Sequence, residues 1–218
     1  MTRSRRNSIG ALTVIEVLIL VAVMSVLVAV FVPAMHAPRH SQCSMRINCS
    51  NNLKQIGLAF RCWSLDNNDR YPFQVPVTNG GTMELTDTGI ASVHFQVMSN
   101  ELSTPKILLC PVDTARTNAY SFGPNLNNWN ISYFVGIEAA ITNPAAFLCG
   151  DRNITNGLPL RGGILDLPAN RPVGWTQRIH VNQGNVCFAD GSVHQLTTAG
   201  LRQGLASTGM PTNCLAMP

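Results

Sequence analysis

Apolar and polar positions fall along this chain in three regimes, each predicting a different element. Residues 8 to 33 read SIGALTVIEVLILVAVMSVLVAVFVP, with 21 nearly unbroken apolar residues, Leu12 to Val32, and one carboxylate, Glu16, near their start. At 1.5 Å per residue such a helix is roughly 31 Å long, about the thickness of a bilayer's hydrocarbon layer. Pro33 is expected to kink this helix at the membrane exit rather than end it, and Pro38 to loosen the next turn. A lone acid in a membrane-length helix costs free energy and calls for a partner or a function.

From Ser41 the period changes. Cys49, Leu53, Ile56, Phe60 and Trp63 are spaced four, three, four and three, with Asn51, Asn52, Lys54, Gln55 and Arg61 between them. This predicts an amphipathic helix with a narrow apolar stripe that packs on the sheet of its own domain. It should stop near Asp66-Asn67-Asn68-Asp69, a turn-forming cluster ahead of Tyr71-Pro72.

Beyond that point short β-type runs alternate with Gly, Pro and Asn. Lys106–Leu109, Ile131–Ile137, Ala146–Cys149, Val186–Ala189 and Ser192–Leu196 are the predicted strands. The last two flank Asp190-Gly191, a dipeptide suited to a two-residue type I′ hairpin. Thr78–Thr88 and Asn153–Gly163 read as loops. The fold class is therefore α+β: a long N-terminal helix, first transmembrane and then amphipathic, packed on one face of a small antiparallel sheet. The predicted divisions are 1–10, 11–33, 34–70 and a β-rich domain over 71–218.

Composition changes this picture in two places. Charged residues make up only 12% of the chain and mean hydropathy is +0.12, in keeping with a membrane segment. The net charge of +4 includes Arg3, Arg5 and Arg6 ahead of the apolar run. Without these three the balance is +1, which leaves no basic face for nucleic acid. Positive charge before a first membrane segment holds that end in the cytoplasm, so the rest of the chain is expected outside the inner membrane.

The seven cysteines, at 43, 49, 62, 110, 149, 187 and 214, show no zinc-type C-x-x-C spacing. In an exported chain some can pair, with connectivity open and at least one thiol left over. Cys149 and Cys187, in apolar strand-like runs, read as small buried hydrophobes.

Three readings compete for the N-terminus. A secretory signal has an apolar core of 7–15 residues and a small-x-small cleavage site; this run is longer, and Pro33–Ala37 fits such a site poorly. A plain anchor fits the length but explains neither Glu16 nor Gly10. The third reading rests on Arg5-Arg6-Asn7-Ser8-Ile9-Gly10-Ala11-Leu12-Thr13-Val14-Ile15-Glu16, which resembles the leader and processing site of type IV prepilins and type II secretion pseudopilins. The resemblance implies a pilin-like fold and a leader, 1–10, cut by a prepilin peptidase on the cytoplasmic side. It implies cleavage after Gly10, with Ala11 as the N-methylated terminus, or after Ala11, which makes Glu16 the usual fifth mature residue. It also implies that Glu16 pairs with the new N-terminal amine of a neighbouring subunit. Ala22, Ser25 and Ala29 share one face of the run and can let helices approach closely.

A second resemblance spans the chain. His180, nine residues and then Asp190-Gly191 match the His-x9-Asp-Gly signature of a group of prepilin-processed proteins of planctomycete and verrucomicrobia type. Cys49–Ala59 (CSNNLKQIGLA), Cys110-Pro111-x-Asp113, Ile131–Val135 and Gly150-Asp151-Arg152-Asn153 resemble further segments of that group.

Chemistry is sparsely marked. His180, Asp190 and His194 are metal-ligand candidates if the hairpin brings them together. Calcium is the other candidate, since major pseudopilins bind it in a C-terminal loop, but Asp66–Asp69 lacks the ligand spacing and glycine of an EF-hand loop. No Gly-x-Ser-x-Gly, P-loop, His-Glu-x-x-His or Rossmann pattern is present, so no enzyme is read here. Asp151 and Arg152 read as a loop ion pair. The expected partners are the peptidase, pseudopilin subunits and inner-membrane lipid. The alternative function is a membrane-tethered binding module that does not polymerise, with Trp129, Tyr133 and Trp175 as its surface, against the competing reading that at least Tyr133 packs in the sheet core.

Overall fold

The computed structural model describes residues 13–35 and 42–218, with side chains over 13–29 and 45–218. The expected leader and the expected cleavage positions, Gly10 and Ala11, lie outside these residues. The chain divides into two units, Met1–Ser41 and Gln42–Pro218.

In the first unit, α1 spans Val14–Met35 and stays helical through Pro33. Its described large side chains are exposed, from Leu27 at 44% to Val14 at 79%. Among the described residues no helix is long and apolar enough to cross a membrane. The described side chains of α1 end at Ala29, so the span expected over 11–33 runs past them at both ends.

The larger unit opens with α2, Gln42–Leu65. Its predicted stripe is its buried face: Cys49, Leu53, Ile56 and Phe60 have no exposed surface and Trp63 has 6%. Burying each large apolar side chain contributes about 1.5–3 kcal/mol. The predicted stop holds. Asn68 and Asp69 take positive φ (56° and 57°), the Asp69 amide donates to Ser64 O at 2.9 Å, and Asn67 Nδ2 caps Trp63 O at 2.8 Å.

The stretch after α2 departs from the β-rich expectation. It is built of 3-10 turns and two short helices, α3 (Ala91–Gln96) and α4 (Ser99–Leu102). Lys106–Leu109, expected as a strand, lies instead on a 3-10 turn, Pro105–Leu108. Pro105 fixes φ at the first helical position, and the Thr104 side chain accepts from Lys106 N, so local capping prevails over the β-type run.

The remaining predicted strands are present with shifted ends: β1 (Tyr133–Gly136), β2 (Phe147–Asp151), β6 (Gln183–Phe188) and β7 (Val193–Thr197). They join β4 (Ile164–Pro168) and β8 (Thr212–Ala216) in a six-stranded sheet ordered β4-β8-β1-β2-β6-β7, and every pairing in it is antiparallel. Two short strands, β3 (Ile154–Thr155) and β5 (Gly174–Trp175), pair separately.

Helices cover both faces of the sheet, where the sequence pointed to one. Along β1, Tyr133 and Val135 join the α2-side core while Phe134 joins the other. That second core is closed by Leu201 and Leu205 of α5 (Thr198–Ser207). The β6–β7 turn also differs from the two-residue type I′ form. Asp190 is absent from the positive-φ positions and Gly191 has φ 87°. The Gly191 amide donates to Phe188 O and the Phe188 amide to Ser192 O, both at 2.9 Å, closing a three-residue loop with a left-handed glycine.

α2 lies close on β6. A Cβ on Gly57 would sit 2.6 Å from Cys187 Sγ. Gly57→Ala is expected to lower stability by a net loss of about 1–2 kcal/mol, because overpacking outweighs the gain in helix propensity. A urea midpoint equal to or above that of the parent chain would contradict this.

Candidate functional site

Two arrangements stand out. The first is the N-terminal turn of α1. Thr13 precedes the helix and Glu16 occupies its first turn. Glu16 Oε2 accepts from Thr13 N at 2.7 Å and from Thr13 Oγ1 at 2.9 Å. Thr-x-x-Glu thus reaches back to the helix start, as in a capping box. Ser25 Oγ donates to Ala22 O at 2.8 Å, so its hydroxyl is satisfied within the helix. Ala22 lies with Val23, Val26 and Leu27 in a shallow groove of about 300 Å³. Ser25 and Ala29 are not part of that lining.

The second is a buried polar node in the larger unit, where residues from four separated motif segments converge. Cys49 of α2 is disulfide-bonded to Cys110, which pins α2 to the segment before β1. His180 Nε2 stands 3.4 Å from Cys110 Sγ and 3.5 Å from Asp151 Oδ2. His180 is 2% exposed and Asp151 fully buried. Asp151 Oδ2 accepts from the Asn185 amide at 2.6 Å and Asn185 Nδ2 at 2.9 Å. Asp151 Oδ1 and His180 Nδ1 have no partner.

His180 is held in place by strained backbone. His180, Val181 and Asn182 all have positive φ (55°, 47° and 59°), a costly conformation for a β-branched valine. Two groups hold this turn: Arg46 Nη2 donates to His180 O at 2.8 Å, and Asn153 Nδ2 donates to Ile179 O at 2.7 Å. Beside the node, Arg152 and Asp113 form a two-pronged ion pair at 2.6 and 2.7 Å, and Ser132 Oγ donates to Asp113 at 2.9 Å. The partner of Arg152 is therefore Asp113, not its neighbour Asp151 as the sequence suggested. Burial alone would raise the Asp113 pKa, but the bonds from Arg152 and Ser132 outweigh it and hold the carboxyl below its ordinary value.

Burial pushes the Asp151 carboxyl up to about 7 against the opposing Asn185 bonds. It pushes the His180 imidazole down to about 4, with Arg46 acting in the same direction. The raised Asp151 value favours the folded state fully below about pH 4, the unfolded carboxyl range, and that contribution is lost as pH rises through about 7. An asparagine mimics the protonated acid. Asp151→Asn should therefore match the parent chain near pH 4 and gain on it progressively toward pH 7. Urea unfolding of both chains across that range checks this, and a stability difference independent of pH would refute it.

The metal-ligand candidates read from the sequence do not meet at one place, for His180 and Asp190-Gly191 lie beyond opposite ends of β6. The nine-residue spacing is the length of that strand with its flanks. Asp190 shapes the turn, accepting from Ser192 N at 2.8 Å. It shares with His194, Phe188 and Gly204 an open cleft of about 460 Å³ beside α5 that His180 does not line. Among the described residues, the one group of three or more potential metal ligands is Cys49, Cys110 and His180. Asp66–Asp69 serves as the stop of α2 rather than as an ion loop. Of the proposed aromatic surface, Trp129 is exposed, Tyr133 is fully buried and Trp175 nearly so. Sequence reasoning missed the pairing of Cys49 with Cys110; the signal available was that both open motif segments of the second resemblance.

Compared with known proteins, the chain matches no family model, no curated protein and no solved structure.

Proposed function

We propose that this chain is a structural, pseudopilin-like subunit, inserted by its basic leader, cut and N-methylated by a prepilin peptidase, and assembled through its apolar helix. The observation that carries this reading is α1, whose described large apolar side chains, Val14 to Val28, are exposed and which bears a single carboxylate at its start. Such a surface needs lipid or neighbouring helices to cover it. Two further features support it. An amphipathic helix lies on an antiparallel sheet, as a pilin-like fold requires, and the Cys49–Cys110 bond suits a domain exposed to an oxidising compartment.

In this reading the Glu16 carboxylate exchanges its contact with Thr13 for the N-terminal amine of a neighbour, removing two unpaired charges from lipid. Capping and pairing are separable, because a glutamine keeps an oxygen for Thr13 and loses the charge. Glu16→Gln is expected to leave processing intact but reduce assembly at least about tenfold, the equivalent of 1.4 kcal/mol or more. Cross-linking through cysteines introduced at Val23 and Val26 reads this out: the parent gives a ladder and the variant gives monomer. A monomeric parent would instead favour the tethered binding module. Intact-mass analysis of the membrane-extracted protein tests the processing step, expecting loss of the leader and gain of one methyl group. Retention of all ten leading residues would overturn the proposal.

A further inference from the structure

The buried node has properties that a purely structural disulfide does not require. Its histidine nitrogen lies 3.4 Å from a cysteine sulfur and 3.5 Å from a carboxylate oxygen, the latter long for a hydrogen bond. The donor atoms of Cys49, Cys110 and His180 all lie within 4.8 Å of one another. In a tetrahedral zinc site, bond lengths near 2.3 Å to sulfur and 2.0–2.1 Å to nitrogen or oxygen put neighbouring ligand atoms about 3.6 Å (N to S) and about 3.4 Å (N to O) apart. Two edges of that tetrahedron are already in place.

We propose that Cys49, Cys110, His180 and Asp151 form a latent site for a thiophilic divalent cation of the zinc class, which becomes available when the disulfide is reduced. The inference is independent of the filament reading. A dithiol reductant supplies two electrons and two protons; the S–S bond breaks, two thiols form, and the reductant leaves as its own disulfide. Binding then expels one proton from each thiol, and one from Asp151 wherever its carboxyl is protonated, giving two thiolates on the metal with the His180 Nε2 lone pair and a carboxylate oxygen. Asn185 already orients that oxygen through two hydrogen bonds, the kind of outer support that metal-ligating carboxylates usually have.

His180 lines a small cleft of about 210 Å³ with Arg46, Val112, Gln177, Arg178 and Val181. Its two arginines disfavour an approaching cation while the sulfurs are bonded to each other and uncharged. Two thiolates and the Asp151 carboxylate reverse that balance. Metal uptake is thereby tied to reduction.

The test uses the full chain in detergent micelles with cobalt(II) as the probe. After treatment with a water-soluble phosphine and removal of the excess, one equivalent of cobalt should bind, with thiolate charge-transfer and tetrahedral visible bands that zinc abolishes. The oxidised chain should show neither band. His180→Gln should weaken binding at least 100-fold, and the double variant Cys49→Ala/Cys110→Ala should eliminate the bands. In the unmutated reduced chain, zinc should protect Cys49 and Cys110 from alkylation while the exposed Cys62 still reacts. This mapping decides the matter alone if His180→Gln does not fold. The proposal is overturned by bands in the oxidised chain, bands of full strength in either variant, no cobalt binding after reduction, or equal alkylation of Cys49 and Cys110 with and without zinc.

Discussion

Replacing Cys49 and Cys110 together with alanine is expected to lower the stability of the larger unit by about 4 kcal/mol. The bond spans a sequence separation of 61 residues, and closing a loop of that size in the unfolded chain removes conformational entropy worth about 4 kcal/mol at 25 °C. Both side chains are fully buried, so alanine is the suitable replacement; serine would add the cost of burying a hydroxyl. The bond joins α2 to the segment leading into β1, two parts that otherwise meet through side-chain packing and the contact of Asn52 Nδ2 with Leu109 O at 3.1 Å. Urea unfolding followed by tryptophan fluorescence measures the loss, since Trp63 and Trp175 are both nearly buried. A change below about 1 kcal/mol would mean that the bond does not constrain the chain as described.

Arg152→Ala is expected to have an effect of similar size, a loss of about 3–5 kcal/mol, because it leaves a buried carboxylate without its cation. The side chains of Arg152 and Asp113 are 9% and 2% exposed. Asp113 would keep the Ser132 hydroxyl and the Ala115 amide, the latter at 3.3 Å, too few donors for a charge in the interior. Its pKa should consequently rise, so the defect should shrink at acidic pH, where the orphaned carboxyl takes up a proton. Arg152→Lys should recover only part of the loss, since an ammonium cannot reproduce the two-pronged contact. A pH-independent loss, or full recovery with lysine, would show that the guanidinium acts through packing instead.

Legibility differed by element for physical reasons. The stripe from Cys49 to Trp63 was readable because a helix with one buried face writes its period into the sequence. The stop at Asn68 and Asp69 was readable because left-handed backbone selects such residues. β4 and β8 carried no such signal. Ile164–Pro168 and Thr212–Ala216 are short, partly polar and next to prolines, and pairing with each other and with β1 makes them strands. The turn at Pro105 shows the reverse case, in which a local cap overrode an apolar run.

Candidate site residues divide in the same way. Glu16 stands out on sequence alone, because a charge inside an apolar run is anomalous wherever the chain goes. The node could not be found so, as Cys49, Cys110, Asp151 and His180 are separated by 29 to 61 positions, and spacing does not say which of seven cysteines meet. The sequence by itself determined the apolar segment, its single acid and the buried face of α2, because these follow from local composition and period. The tertiary structure alone decided the cysteine pairing, the choice of Asp113 over Asp151 as the partner of Arg152, and the separation of His180 from Asp190. The first two depend on which distant segments the fold brings into contact, which no local pattern records, and the third on β6 running as an extended strand between His180 and Asp190.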